Sequence, residues 1–400
     1  VEPFARLLIV VGGLLVIDLL AVSGLRRVGV PGVVVHLGLG VALAFAEAHF
    51  GLLGANGRDA VSFLGSIGIV CLLFRAGLES NVRKLLQNLR RASLVWLADV
   101  AVSGALGFAA SRYALGLPLL PSLFVAVAMT ATSVGVGVAV WRDQGALDSR
   151  PGQLLLDVAE LDDISGIVLM AVLFSLAPLL QAGAPDGIAA AVGTTTGGVL
   201  LRLCAFAAAC ALFARFLEQP LTRLLGRVES VSDRLISVAG VGLVVAALAG
   251  LLGFSLAIGA FFAGLAFSRD PRAVKLDASF DVLSDFFTPF FFVSIGLGMD
   301  PDALAGALSL GGALLVVAAA GKLLGAGGGA FFALGGRSAG LIGVSMIPRA
   351  EIAMVVMQQG RHLGEAAVPA AVFSAMVLVS AATCLLAPLA IQLQLRRRRA

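Results

Sequence analysis

The chain has 400 residues, of which 59% are hydrophobic and only 13% charged, and its mean hydropathy is +1.02. A water-soluble fold cannot hide that much apolar surface, so the composition excludes a soluble globular protein and indicates an all-α polytopic membrane protein. The net charge of +4 would suggest nucleic acid in a soluble chain, but here it reads as a basic cytoplasmic face, with no nucleic-acid partner and no cofactor implied.

Apolar runs of helical length predict thirteen spans, near 5–22, 30–48, 61–78, 93–111, 119–141, 153–179, 187–214, 235–251, 253–268, 279–298, 303–324, 338–359 and 366–392. The first lacks a small-residue cleavage site after a basic start, so it reads as a true span and not a signal peptide. The chain opens on Val1, which fits a trimmed native start. The 49 glycines point to close helix packing and interrupted helices. Cys71, Cys204, Cys210 and Cys384 form no CxxC and are expected to be free thiols packed as small hydrophobes.

Spans one to four carry scattered polar groups. Asp18, Arg75, Asp99 and, later, Asp285 are charges in or near the membrane to which no catalytic role is assigned, and Arg75 with Glu79 fits the cytoplasmic rim. His36 reads as a packing histidine or as a titrating sensor. Span five contains Thr130-Ala131-Thr132-Ser133-Val134-Gly135. Three hydroxyls followed by Gly135 and Gly137 make a poor uninterrupted helix, and an unwound stretch would free oxygens for a hard cation such as Na⁺. The alternative is a hydroxyl-lined helix contact.

Span six holds Leu161-Asp162-Asp163-Ile164, about ten residues into its apolar run. At ~1.5 Å per residue the pair lies roughly 15 Å deep, where charge is expensive and usually functional. The alternative is an interfacial turn. Asp157 and Glu160 add further acid to the same segment. Successive residues differ by roughly 100°, so one Asp can meet an ion while its neighbour meets a protein cation.

Span eleven supplies that cation. The chain uses 25 arginines and only three lysines, so a residue that merely snorkels would most often be Arg here. Lys322 differs because a buried lysine can lose its proton. Span twelve carries Met346-Ile347-Pro348-Arg349-Ala350-Glu351. Pro348 breaks the hydrogen-bond ladder, and Arg349 and Glu351 read either as structural ion-pair formers or as ion contacts.

Basic residues set the orientation. With the amino terminus outside, twenty of the 28 fall in cytoplasmic segments (Arg26, Arg27, Arg83, Lys84, Arg90, Arg91, Arg142, Arg150, Arg215, Arg223, Arg227, Arg234, Arg269, Arg272, Lys275, Arg337 and Arg396–Arg399) and only Arg6, Arg58, Arg112 and Arg361 lie outside. This asymmetry predicts an odd number of spans and a cytoplasmic carboxyl terminus. A faint repeat supports the count: Phe74-Arg75-Ala76-Gly77-Leu78-Glu79 ends span three, and Val293-Ser294-Ile295-Gly296-Leu297-Gly298-Met299-Asp300 ends span ten. The offset of seven spans implies an inverted repeat of six, spans 1–6 and 8–13, with span seven as connector, as in many secondary transporters.

Taken together, Gly77-Leu78-Glu79, Thr132-Ser133-Val134-Gly135, Leu161-Asp162-Asp163-Ile164, Gly259-Ala260-Phe261-Phe262-Ala263-Gly264, Pro289-Phe290-Phe291-Phe292-Val293, Gly321-Lys322 and Pro348-Arg349-Ala350-Glu351 resemble the monovalent cation/proton antiporter superfamily, in its bacterial Na⁺/H⁺ exchanger branch related to Kef-type transporters. The resemblance implies two crossed, discontinuous helices. It also implies core ion-transport halves at 93–180 and 303–395, dimerisation halves at 1–92 and 228–302, a connector at 187–217, a homodimer, and residence in the bacterial inner membrane. Asp163 would carry Na⁺ and protons in turn, Asp162 would pair with Lys322, and Thr132 would line the crossing, with Ser133, Thr130, Glu160, Pro348, Arg349 and Glu351 in support. Double Asp with Lys is similar to the electrogenic members. Ala350 departs from the usual Gly and Arg75 from the usual apolar residue. No nucleotide-binding domain follows Ala400, which disfavours Kef-like gating.

Three other readings compete. A sodium-coupled organic-anion symporter of similar fold would need a solute-sized polar cavity. An intramembrane aspartyl protease would need Gly-x-Gly-Asp, where Met299 intervenes, and the single tyrosine, Tyr113, precedes Ala114 instead of Asp. A passive channel would not need paired titratable groups. Na⁺, K⁺ and Li⁺ share the same oxygen ligands, so the residues do not choose among them.

Overall fold

The computed structural model describes residues 2–79, 82–182, 188–216, 220, 231–267 and 274–399. Among them every regular element is helical. Arg223, Arg227, Arg269 and Arg272 from the cytoplasmic set lie outside the described residues, as do the side chains of Arg83, Lys84, Arg234, Lys275, Arg337, Arg398 and Arg399 and the connector ends at 187 and 217.

The helices are α1 (Glu2–Arg26), α2 (Gly32–Phe50), α3 (Gly54–Glu79), α4 (Val82–Ala109, ending in a π turn over Ala110–Ala114), α5 (Leu119–Thr130), α6 (Val134–Asp143), α7 (Arg150–Gln181), α8 (Ile188–Phe216), α9 (Val231–Leu251), α10 (Leu256–Phe267), α11 (Val274–Leu297), α12 (Leu304–Leu334), α13 (Gly336–Ser345), α14 (Glu351–His362) and α15 (Ala370–Arg399). Nine helical stretches among the described residues are long and apolar enough to cross a membrane, while 240–251, 256–267 and 282–297 are apolar but shorter. The chain forms two compact units, residues 59–82 with 184–291, and the remainder.

In the larger unit the apolar core lies among α4, α6, α7, α12, α13 and α15, around Trp141, Val158, Ile342, Met346 and Ile391. α12 runs ten residues beyond the sequence expectation of 303–324. The added stretch is rich in glycine, and glycines four apart lie on one helix face. A Cβ on Gly321, Gly325 or Gly329 would come within 3.1, 2.9 and 2.7 Å of the Cα atoms of Ser103, Asp99 and Val95. The seam therefore lays α12 directly on α4 and stays helical because it is packed. Gly335, at φ +86, then makes the turn into α13 that a residue with a Cβ would resist.

In the smaller unit the same device joins α3 to α10. A Cβ on Gly77 would sit 2.1 Å from the Phe261 carbonyl oxygen, and one on Gly264 would sit 1.9 Å from that of Phe74. Phe206, Cys210, Ala214, Ala249 and Ala266 fill the space among α8, α9 and α10. At the exposed rim Arg75 bridges Glu79 at 2.8 Å and Asp285 at 3.3 Å. Of the four free thiols, Cys71, Cys210 and Cys384 are buried as expected; Cys204, on α8, is exposed, which corrects its expected packing.

Candidate functional site

Two breaks make the site. α5 stops at Thr130 and α6 restarts at Val134, with Ala131 and Ser133 extended. Ser and Thr hydroxyls weaken the helix there by competing for backbone partners. α13 ends at Ser345 and α14 begins at Glu351. Pro348 has no N–H to offer and biases Ile347 away from the helical region. The breaks meet: the Ser133 N–H donates to the Pro348 carbonyl at 2.7 Å. Spans five and twelve of the sequence reading are thus each two half-helices, and they cross.

Breaking a helix leaves carbonyls without partners. Arg349, fully buried, answers for α5. Its guanidinium donates to the carbonyls of Ala128 (3.4 Å), Met129 and Ala131 (2.9 Å), and to Ala318 of α12 at 3.3 Å. The Arg349 backbone is held by α15, where the Thr383 hydroxyl accepts from its N–H and the Ser380 hydroxyl donates to its carbonyl. A fixed positive charge at a helix carboxyl end is favourable, since the macrodipole is negative there. At the opposite polarity, Glu351 opens the first turn of α14.

Lys322 reaches the same carbonyl end from α12. Its Nζ, with no exposed surface, donates to Asp99 Oδ2 at 2.5 Å, Thr130 O at 2.6 Å and Asp162 Oδ2 at 3.0 Å. Three donors thus meet three acceptors. Thr132 Oγ1 also donates to Asp162 Oδ2, at 2.7 Å. The Ser165 hydroxyl donates to the Asp162 carbonyl and accepts from the Trp96 indole N–H, tying α7 to α4. Asp162 is 1% exposed, whereas Asp163 and Glu160 are only partly buried. Successive residues on α7 therefore differ in environment: one acid is sealed against the ammonium and the other is more open.

Two buried oxygens at the crossing, Asp162 Oδ1 and Ser133 Oγ, have no hydrogen-bond partner. Buried polar atoms are almost always satisfied, so orphaned oxygens of this kind suit a ligand. Hard oxygens, one anionic and one hydroxyl, are the donor chemistry of a small alkali cation. No group of three or more His, Cys, Asp or Glu side chains among the described residues has the arrangement of a resident metal centre.

The geometry brings Asp162, Thr132, Lys322, Thr130, Ser133, Pro348 and Arg349 together. Asp99, to which the sequence assigned no catalytic role, joins them through its 2.5 Å contact to Lys322. The available signal was a carboxylate within an apolar run. Asp18 and His36 pair with each other, Nδ1 to Oδ1 at 2.5 Å, and the imidazole stacks on Phe292. His36 is therefore at least a packed, partnered residue.

Half-helices crossing at a charged centre within a polytopic helical protein define a secondary-transporter architecture. The sodium/hydrogen exchanger transmembrane family model matches residues 13–397, and the chain belongs to that family of cation/proton antiporters. It is 29% identical to the high-affinity Na⁺/H⁺ antiporter NhaS3 of Synechocystis over 94% of this chain and 81% of the relative. It is 28% identical to the Na⁺/H⁺-K⁺ antiporter GerN of Bacillus cereus, over 90% and 89%. The fold matches that of the sodium proton antiporter MjNhaP1 of Methanocaldococcus jannaschii with a TM-score of 0.73, covering 99% of both chains at 15% identity.

Proposed function

We propose that the chain is a Na⁺/H⁺ antiporter working by alternating access, with Na⁺ and protons competing at the Asp162–Asp163 pair. The observation that carries this reading is the crossing itself: a sealed Asp162–Lys322 pair beside the orphaned Asp162 Oδ1 and Ser133 Oγ and next to the more open Asp163. An empty carboxylate is costly at that depth, so Asp163 takes either a proton or a cation before the site crosses. Cation binding draws Asp162 Oδ1 into the coordination shell and loosens its hold on Lys322. Loss of the lysine proton at that step makes the exchange electrogenic. Thr132 and Ser133 contribute oxygen ligands, Arg349 fixes the carbonyl ends, and Glu160, Thr130, Pro348 and Glu351 support the frame.

The moving body consists of 93–180 and 303–395. The halves 1–92 and 228–302 form the scaffold and the homodimer contact, with 187–217 as connector. This division follows the two broken helices; the two compact units differ from it by placing α1 and α2 with the larger unit. Thirteen crossings arise if the nine long spans are joined by the shorter apolar helices over 240–251, 256–267 and 282–297 and by the interrupted pair α13–α14. An odd count puts the amino terminus outside and the carboxyl terminus in the cytoplasm of a bacterial inner membrane. The two interrupted helices, seven spans apart, support an inverted six-span repeat.

The test is exchange in proteoliposomes. Asp163→Ala abolishes pH-gradient-driven Na⁺ transport, and transport surviving in that variant sinks the site assignment. A K⁺/H⁺ variant of the reading is favoured by the K⁺ in the name of the Bacillus cereus relative. The same vesicles, loaded in turn with Na⁺, K⁺ and Li⁺, decide between them.

A further inference from the structure

Asp99 lies outside the Asp pair, yet it makes the shortest contact to Lys322, 2.5 Å against 3.0 Å for Asp162. The two carboxylates are held differently. Both oxygens of Asp99 are engaged, Oδ2 by Lys322 and Oδ1 by the Ser103 hydroxyl at 3.1 Å. Asp162 keeps Oδ1 without a partner. Backbone packing fixes Asp99 as well. The glycine seam presses Gly325 onto the Asp99 backbone and Gly321 onto Ser103, one helical turn on, so α4 and α12 cannot slide apart without opening that contact. Charged neighbours around Lys322 are Asp99 from α4, Asp162 from α7 and, beyond the shared carbonyl end of α5, Arg349.

We propose that Asp99 is a positioning residue for exchange: it anchors Lys322 when Asp162 turns from the ammonium to the incoming cation. Removing one partner of a buried ion pair ordinarily leaves a bare charge, which strongly opposes the step. A second carboxylate on the same Nζ removes that obstacle, so Asp162 is the exchangeable acid and Asp99 the fixed one. The hydrogen bond from Nζ to Asp99 is open to the ammonium and, once its proton has left, to the amine, so Lys322 stays at the crossing, ready to be reprotonated and to re-form the pair when the cation leaves. The proposal rests on the reading of Asp162 and Asp163 as the cation site.

The experiment measures Na⁺ exchange in proteoliposomes for Asp99→Asn and Asp99→Glu beside the wild type. With Asn at 99, Asp162 becomes the sole carboxylate on Lys322 and the cation must compete for it. The KM for Na⁺ rises roughly tenfold or more, further than Vmax falls, and Glu restores it. In a Lys322→Gln background, Asp99→Asn adds no further rise, because the competition is gone. If transport is too slow to measure, the Na⁺ concentration giving half of the maximal thermal stabilisation of the purified protein reads the same shift. A KM, or half-stabilising concentration, equal to wild type in Asp99→Asn overturns the proposal, and a merely structural Asp99 would give that result with reduced Vmax. Asp163→Ala is run alongside. If it is silent while Asp99→Asn leaves KM unchanged, only this inference fails; if it still transports, the site reading itself fails.

Discussion

Arg349 and Lys322 are both buried cations, but they hold their places by different chemistry. Arg349 spreads a planar fork over carbonyls from α5 and α12, whereas Lys322 concentrates one charge on two acids and a carbonyl. A lysine at 349 cannot satisfy that fork, so Arg349→Lys leaves buried carbonyls unpaired and destabilises the fold by about 2–4 kcal/mol, seen as a lowered melting temperature in detergent. An unchanged melting temperature would show that the fork is dispensable. That one Asp of the pair faces Lys322 was legible because a doubled acid and a rare lysine each stand out within an apolar run; that it is Asp162 came from the family resemblance. Asp99 was not legible, since it is a single acid without a motif, and its partner lies 223 positions away in sequence. Periodicity reads one helix at a time and is silent on which helix lies against which.

Glycine governs the next scale up. Its abundance was readable as close packing, but not which glycines approach which backbone. The Gly-rich sequence near 325–329 lies beyond the expected span of 303–324 and is a helix face, because an i, i+4 row of missing side chains invites a neighbour as readily as it weakens the helix. A methyl on Gly325 would sit 2.9 Å from the Asp99 Cα and must push α4 off α12. Gly325→Ala therefore lowers both the thermal stability and the affinity for Na⁺, by lengthening the Asp99–Lys322 contact. In the smaller unit, Gly264→Ala drives a methyl to 1.9 Å from the Phe74 carbonyl oxygen and is expected to destabilise by about 1–3 kcal/mol. There the cation affinity of any correctly folded fraction is retained. A drop in affinity for Gly264→Ala equal to that for Gly325→Ala would argue against the seam as the determinant. The interrupted helices were legible as well, through hydroxyl and proline chemistry, but their mutual hydrogen bond was not.

For the molecule as a whole, the quantity that matters is charge moved per cation. Two buried carboxylates, Asp99 and Asp162, and two buried cations, Lys322 and Arg349, meet at the crossing, with Asp163 on α7 and Glu351 on α14 partly buried, so the proposed cycle has more than one way to balance the protein's own charges. Lys322→Gln removes the group proposed to shed a second proton. Exchange in that variant is expected to become less sensitive to membrane potential, measured with the potential clamped and unclamped. An unchanged proton-to-cation ratio rejects Lys322 as a proton carrier. The multi-span architecture and the family were readable from composition and motif order. That residues 1–58 share a compact unit with 83–183 and 292–400 was not, because it depends on packing between helices far apart in sequence.

The bond from Ser133 N–H to the Pro348 carbonyl has a consequence for how such a chain can vary in length. Hydropathy is indifferent to one added alanine in α5, yet a single insertion there turns everything beyond it by roughly 100° and carries it ~1.5 Å along the axis. Thr132 would leave Asp162, and the two breaks would pass each other out of register. Insertions and deletions are therefore tolerable in the connections between helices and intolerable between Leu119 and Ser133 or between Gly336 and Glu351, even where the added residue is as apolar as its neighbours.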